Sequence, residues 1–255
     1  MKKRLMAAVL STAMAATMLL TGSISVQAAD AAAANDPAVE LIFTSVSVSG
    51  DSHTEAMYEF ADKVEELSGG SVTCKCYDNG SLFSSENEFD ALLNGDADLA
   101  YISFPTIATQ IPSYSMFASG YLFSSYEHMT SVLNGDIGLN KIRPQIEETL
   151  NIKPLSSFYL GSRVINTREK EINSYDDMNG LLLRMPNSEA WLFLGEALGA
   201  NPTPLSFSEL YTALQTGAVD AQDNPLPSIE SAKFYEVTKY IAITNHVVDS
   251  IMYQR

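Results

Sequence analysis

The feature that most constrains this chain is an alternation of two hydrophobic periods that starts near Val39. Leu41 to Val48 is rich in Ile, Phe, Val and Ser and predicts a buried strand. Ser52-His53-Thr54-Glu55 then reads as a capping box, after which Ala56, Phe60, Val64 and Leu67 fall on one helical face. Gly69-Gly70 ends that helix, Ser71 to Tyr77 alternates as a second strand, and Asp78-Asn79-Gly80 turns the chain. The unit repeats: Ser85-Glu86-Asn87-Glu88 opens a helix through Phe89, Leu92 and Leu93, Gly95 stops it, and Asp98 to Ser103 is the next strand. Strands alternating with helices in this way predict an α/β fold.

The second half continues the pattern. A strand pair is expected near Pro154 to Asn166, Ser174-Tyr175-Asp176-Asp177 caps a single turn, and Leu181-Leu182-Leu183-Arg184 is a short apolar strand ending in a charge. Ala190, Phe193, Leu194, Ala197 and Leu198 share a helix face closed by Gly199. A capping box at Ser206-Phe207-Ser208-Glu209 starts a helix through Leu210, Tyr211 and Leu214, and Ala218 to Asp223 follows as a strand. Two α/β lobes account for this better than one long sheet. The division falls as residues 39–157 and 158–247, with 248–255 opening a return segment.

The N-terminus predicts export. Met1-Lys2-Lys3-Arg4 is basic, Leu5 to Leu20 is apolar, and Val26-Gln27-Ala28 offers a cleavage site, so residues 1–28 read as a signal peptide and 29–38 as a flexible leader. The run carries Ser and Thr and ends in Gly22-Ser23, which suits a spanning helix poorly. Ser23 stands where a lipoprotein would need cysteine, so no lipid anchor is expected. Without residues 1–28 the chain keeps 12 basic against 31 acidic residues, a net charge of −19. That excludes a broad affinity for nucleic acid, and it means that an anionic ligand must be held by a few local cations. Cys74 and Cys76 lie two apart on one strand, a poor geometry for a disulfide, and read as free thiols. His53, His128 and His246 are scattered, and no metal-ligand spacing is present.

In open α/β sheets ligands sit at the carboxyl ends of strands. Arg184 occupies such an end, and an arginine closing three leucines needs a partner: a structural acid, backbone carbonyls or a ligand carboxylate, the first and last equally favoured on the residues alone. Asn224 has the same placement, although a turn residue before Pro225 is the simpler reading. The chain has no Gly-x-Ser-x-Gly elbow and no phosphate-cradling glycine loop, and Glu86 and Glu88, a conceivable glycosidase pair, read better as helix-start residues.

Three blocks then carry a family resemblance: Gly180-Leu-Leu-Leu-Arg184-Met-Pro186, Leu198-Gly-Ala-Asn-Pro-Thr-Pro204, and Glu209-Leu-Tyr-Thr-Ala-Leu-Gln-Thr-Gly-Ala-Val-Asp-Ala-Gln-Asp-Asn-Pro225. Together they resemble the DctP-type substrate-binding proteins of tripartite ATP-independent periplasmic (TRAP) transporters, and weaker likeness in 60–70, 79–82 and 95–99 extends it over nearly all of the mature chain. The resemblance implies a two-lobed, periplasmic-binding-protein-like fold with a hinge and a ligand cleft between the lobes. It implies capture of a small organic acid for TRAP permease subunits in the membrane, with no enzymatic activity, and a monomer is expected. It makes Arg184 the residue that pairs with the ligand carboxylate and Arg163, in Gly161-Ser-Arg163, a second cation, with Arg168 as its lower-ranked substitute. Asn224 and Phe207 match cleft positions, although Phe207 also falls on an apolar stripe with Leu210, Tyr211 and Leu214. Ser47, His53 and Ser103 flank strand ends and join the candidates.

Family members commonly carry Arg-Glu where this chain has Glu86-Asn87, so Glu86 is expected to alter how the distal end of the ligand is read. Relatives continue past the position of Arg255 for two or three helices, so the chain is expected to be a fragment. Competing readings are the binding component of an ATP-driven importer, a ligand sensor docking on a receptor, and a secreted hydrolase of a carboxylated sugar. No feature of the sequence calls for a cofactor.

Overall fold

The computed structural model describes residues 38–254; the signal segment and all of the leader but Ala38 lie outside the described residues. In the first half, β1 (Val39–Thr44), β2 (Val72–Tyr77) and β3 (Leu99–Ser103) alternate with α1 (Ser52–Leu67) and α2 (Glu88–Asn94), as the two periods require. Short helices follow: α3 (Phe104–Ile107), α4 (Tyr126–Leu133) and α5 (Arg143–Leu150), with a 3-10 segment at Pro112–Ala118. The second half holds β4 (Pro154–Thr167), β5 (Leu182–Met185), α6 (Glu189–Ala197), β6 (Asn201–Pro204), α7 (Leu210–Thr216), β7 (Ala221–Pro225), α8 (Leu226–Ser231) and β8 (Tyr240–Ala242), and β9 (Val248–Gln254) closes the described residues.

Strands β1, β2 and β3 pair in parallel, as do β5, β6 and β7, which suits the βαβ crossovers between them. The two parallel sets are not separate sheets. One hydrogen-bonded path runs β2-β1-β3-β9-β4-β7-β5-β6, with β8 added to β4. The link is β4, expected as a strand pair but formed as one strand of 14 residues, about 45 Å long at the usual rise. Its residues up to Ser162 pair with β9, and Arg163 to Thr167 pair with β7. The exchange follows a bulge at Gly161, where φ is 136° and an added Cβ would stand 2.4 Å from Pro225 Cβ, so only glycine fits. The position 157/158, expected to divide the lobes, falls inside this shared strand.

Each half has its own core. Phe43, Met57, Leu99 and Tyr101 pack between β1, β3 and α1, while Phe104, Ile107, Met129 and Ile146 fill the layer beneath α3 to α5. Across the molecule Leu183, Met185, Trp191 and Leu194 join β5 to α6, and Val164, Leu210, Leu214 and Phe234 join β4 to α7. Full burial of one such side chain contributes about 1.5–3 kcal/mol.

Several local expectations shift. Strand β1 stops at Thr44, releasing 45–48 as a loop, and β7 runs from Ala221 rather than Ala218. The cap of α1 is Asp51, whose Oδ1 accepts the His53 N–H at 2.8 Å, so Ser52 is the first helical residue. Ser206 caps nothing. Its hydroxyl faces Ser85 Oγ at 3.3 Å and Ser208 Oγ at 3.2 Å, and Phe207–Glu209 forms a 3-10 turn ahead of α7. Asn87 and not Ser85 precedes α2, without a side-chain bond. The turn at Tyr175–Met178 has its capping box, from Ser174 and Asp177, and Cys74 and Cys76 are free thiols.

Candidate functional site

The carboxyl ends of both parallel sets face a common cavity of about 140 Å³. The loop after β1 brings Ser45 and Ser47, the end of β3 brings Ser103, and β5 and β7 bring Arg184 and Asn224. The bulged turn of β4 brings Arg163, and Phe207 covers one side. Hydrogen-bonded contacts bridge the halves beside this space, among them the Ser85–Ser206 hydroxyl pair, Ser85 Oγ accepting the Phe207 N–H at 3.2 Å, and Ser231 Oγ donating to Asp51 Oδ2 at 3.1 Å.

The two arginines are equally enclosed and differently satisfied. Arg163 is 4% exposed; its Nε donates to Asp249 Oδ2 at 2.7 Å, and its Nη1 donates to Asp223 Oδ1 and to the Asp223 carbonyl, each at 2.8 Å. The guanidinium also lies over the Trp191 ring, 4.3 Å from its centre. Burial opposes this charge, but Asp223 and Asp249 outweigh it and raise the arginine's pKa. Burial likewise opposes the Asp223 carboxylate, yet Arg163, a 2.9 Å bond with His246 Nε2 and the charge of Arg184 hold it below the ordinary range.

Arg184 is 2% exposed and has no carboxylate within ion-pair distance among the described residues. Among the described residues its hydrogen bond runs from Nε to the Leu205 carbonyl at 2.8 Å, and the Phe207 ring centre is 6.0 Å away. Desolvation lowers its pKa to about 10, with Asp223 and, more weakly, Glu86 opposing the shift from a distance. It is the third residue of β5, because the strand runs on to Met185, and it stands opposite Gln222 of β7 and Thr203 of β6.

Six of the eight residues singled out from the sequence line the cavity: Arg184, Arg163, Asn224, Phe207, Ser47 and Ser103. Asn224 Nδ2 is held by Gln222 Oε1 at 2.6 Å, and Ser103 Oγ lies 2.9 Å from Thr106 Oγ1. Phe207 is half-buried with an edge contact to Phe234, so both readings of it hold at once: it packs on the core and faces the cavity. His53 and Glu86 do not line it. The His53 ring is turned to Asp51 Oδ1 at 3.0 Å and to the Tyr159 carbonyl at 3.2 Å, and Glu86 is exposed. Arg168 borders a different surface depression near Gly180. Residues not foreseen as lining include Glu88, Trp191, Asp51 and Asp249. A signal existed for Glu88, which stands beside Phe89 and four residues before Leu92 and so belongs to the apolar face of its helix.

A family model described as bacterial extracellular solute-binding protein, family 7 (DctP), matches residues 43–254. The sialic acid-binding periplasmic protein SiaP of Vibrio cholerae is 35% identical over 192 residues, covering 75% of this chain and 59% of SiaP. The C4-dicarboxylate-binding protein DctB of Bacillus subtilis is 30% identical over 195 residues, covering 75% of this chain and 54% of DctB. The chain spans between 57% and 59% of the length of the first curated relatives it matches. Among solved structures, a TRAP periplasmic solute-binding protein of Roseobacter denitrificans with bound 3-deoxy-D-manno-oct-2-ulosonic acid is 40% identical, with a TM-score of 0.80 over 85% of this chain and 71% of that one. The sugar acid-binding protein DctPAm of Advenella mimigardefordensis, in complex with galactonate, is 31% identical, with a TM-score of 0.82 over 86% and 70%. Those proteins share with this chain a two-lobed α/β fold, here joined through β4 and β9, and members of the family bind substrates rather than transform them. The chain belongs to family 7 of the bacterial extracellular solute-binding proteins, the DctP family.

Proposed function

We propose that this chain is the extracytoplasmic binding component of a TRAP transporter and that its cavity holds a small organic acid by pairing the acid's carboxylate with Arg184. The observation that carries this reading is the surroundings of Arg184: a buried cation on a cavity wall with no acidic partner in ion-pair distance among the described residues, beside an arginine that has two. Uncompensated burial of a guanidinium is unfavourable, and a ligand carboxylate in the planar fork of the arginine removes that cost. The relatives' ligands, among them 3-deoxy-D-manno-oct-2-ulosonic acid and galactonate, are acids of the kind this site would accept.

On this reading residues 39–157 and 158–247 act as lobes that close over the ligand, and the Ser85–Phe207 and Asp51–Ser231 bonds are contacts of the closed arrangement. Binding selects that arrangement from an open one and dries the ion pair, which strengthens it. The protein releases the acid unchanged to membrane subunits, acts outside the cytoplasm after export and works as a monomer. Calorimetric titration with a panel of organic acids tests the anchor. Arg184→Lys keeps the charge and loses the bidentate fork, and it is expected to weaken binding by about thirtyfold or more without lowering the melting temperature. Unchanged affinities for every acid that binds would overturn the assignment.

A further inference from the structure

Glu88 is the first residue of α2, is 3% exposed and lines the same cavity as Arg184. No cation lies within ion-pair distance of it among the described residues. Its Oε1 is fully enclosed beside the equally enclosed hydroxyl of Thr44, and neither atom makes a well-aligned hydrogen bond among the described residues. Burial pushes the carboxyl up to about 8, against a smaller lowering by Thr44, so at neutral pH it is mainly the uncharged acid with one O–H donor and a free acceptor oxygen. Between Phe89 and the α2 core an aliphatic side chain would be less costly, and with Oε1 turned to Thr44 the other oxygen of this cavity-lining acid is open to a partner from outside the protein.

The charges of the wall limit what that partner is. Of the two arginines, Arg163 spends its Nε and Nη1 on Asp249 and Asp223, which leaves Arg184 as the lining cation without a contact ion pair among the described residues. Two aspartates already offset the summed charge of the two arginines, so the open fork of Arg184 seats one carboxylate and no more. A second carboxylate on the ligand would be buried against hydroxyls and a neutral acid with nothing to neutralise it. The remaining wall near Glu88 is rich in hydroxyls, with Ser45, Ser85, Ser103 and Thr106 facing the space.

We propose that Glu88 is a specificity residue: its carboxyl exchanges hydrogen bonds with a hydroxyl of a ligand whose single carboxylate sits on Arg184, so the cavity takes polyhydroxy monocarboxylic acids and discriminates against dicarboxylates. This rests on the reading of Arg184 as the carboxylate anchor. Glu88 stands on the β1 side of the cavity and Arg184 on the β5 side, so the two read opposite ends of the bound molecule.

The test is titration of the purified chain at pH 7 with D-gluconate, D-glucuronate, D-glucosaminate, hexanoate, succinate and adipate, on wild type, Glu88→Leu, Glu88→Gln and Arg184→Lys. Gluconate or glucuronate is expected to bind at least about tenfold more tightly than succinate or adipate. Glu88→Leu is expected to lose about tenfold for the hydroxylated acids and nothing for hexanoate, and Glu88→Gln, with a donor and an acceptor in the same volume, to recover most of that loss. A melting temperature of Glu88→Leu at or above wild type separates lost recognition from lost folding. Equal or tighter binding of a dicarboxylate, no binding of either hydroxylated acid, or an unchanged preference in Glu88→Leu overturns the proposal. Stronger binding of glucosaminate overturns it in favour of a ligand ammonium. If Arg184→Lys changes no affinity while Glu88→Leu abolishes the preference, it is the anchor that fails and the role of Glu88 that stands.

Discussion

Arg163 and Arg184 reach the same cavity from β4 and β5, with only β7 between those strands, and they are 4% and 2% exposed. Their surroundings are opposite. Arg163 is ion-paired to two aspartates and stacked on Trp191, whereas among the described residues Arg184 gives one hydrogen bond to a carbonyl and has no acid near enough to pair. The difference teaches that lining a cavity does not assign a role. A cation whose charge is answered within the fold holds the fold; one whose charge is left open is available to something that arrives. Asp223 sharpens the contrast, because it binds Arg163 directly and acts on Arg184 only through space.

The largest expected effect follows from breaking the satisfied side. Arg163→Met leaves Asp223 and Asp249 buried without their cation, and Asp249 then keeps only the Ser250 N–H. Removing one member of a buried ionic group destabilises by about 3–5 kcal/mol. Urea unfolding should show this as a lower midpoint. An unfolding free energy within about 0.5 kcal/mol of wild type would erase the distinction between the two arginines.

That distinction was only half legible in the sequence. The α/β class was open to reading because period-2 and period-3.6 runs alternate without overlap through β1, α1, β2, α2 and β3. The continuity of the sheet was not, since it depends on β9 pairing with β3 and β4 across gaps of about a hundred residues or more, which no local period encodes. The bulge at Gly161 hid β4 by breaking its alternation, so one strand read as two. Strand-end placement and residue type brought out both arginines, but their charge balance depends on Asp223 and Asp249, which are 60 and 86 residues from Arg163. His53 was misplaced because its position beside a helix cap says nothing about where the ring turns. Glu86 is exposed and acts on Arg184 only through space, whereas Glu88, two residues on and on the apolar face of the helix, lines the cavity.

A second prediction concerns the acid that shares the open condition of Arg184. The folded protein holds the Glu88 proton up to about pH 8, whereas an ordinary glutamate gives it up near 4.5. Between those values the folded state therefore binds more protons than the unfolded state, so this residue's contribution to stability is complete below about 4.5 and is lost as pH rises toward 8. Over pH 5 to 8 the loss should reach roughly 3–4 kcal/mol. Glu88→Gln carries no titrating group, so the gap between its stability and that of wild type should widen in favour of the mutant across this window. The depressed Asp51 and Asp223 are common to both proteins and lose their contributions only at lower pH, so the difference isolates Glu88. A constant gap from pH 5 to 8 would show that the acid is satisfied in solution.

The smallest expected change is the most discriminating. Arg184→Met removes a charge that the unliganded protein buries without a partner, which is favourable, and leaves the Leu205 carbonyl without its donor, which costs about 0.5–1.5 kcal/mol. The two nearly cancel, so the stability of the unliganded mutant should lie within about 1 kcal/mol of wild type, on either side, against the 3–5 kcal/mol lost in Arg163→Met. Adding a binding acid at a hundred times its dissociation constant should then raise wild-type stability by about 2.7 kcal/mol and leave the mutant where it was. Two melting curves per protein, with and without ligand, test both halves of the argument at once. If Arg184→Met loses as much stability without ligand as Arg163→Met does, the fold depends on both arginines alike, and the open charge on the cavity wall is not the mark of a binding residue.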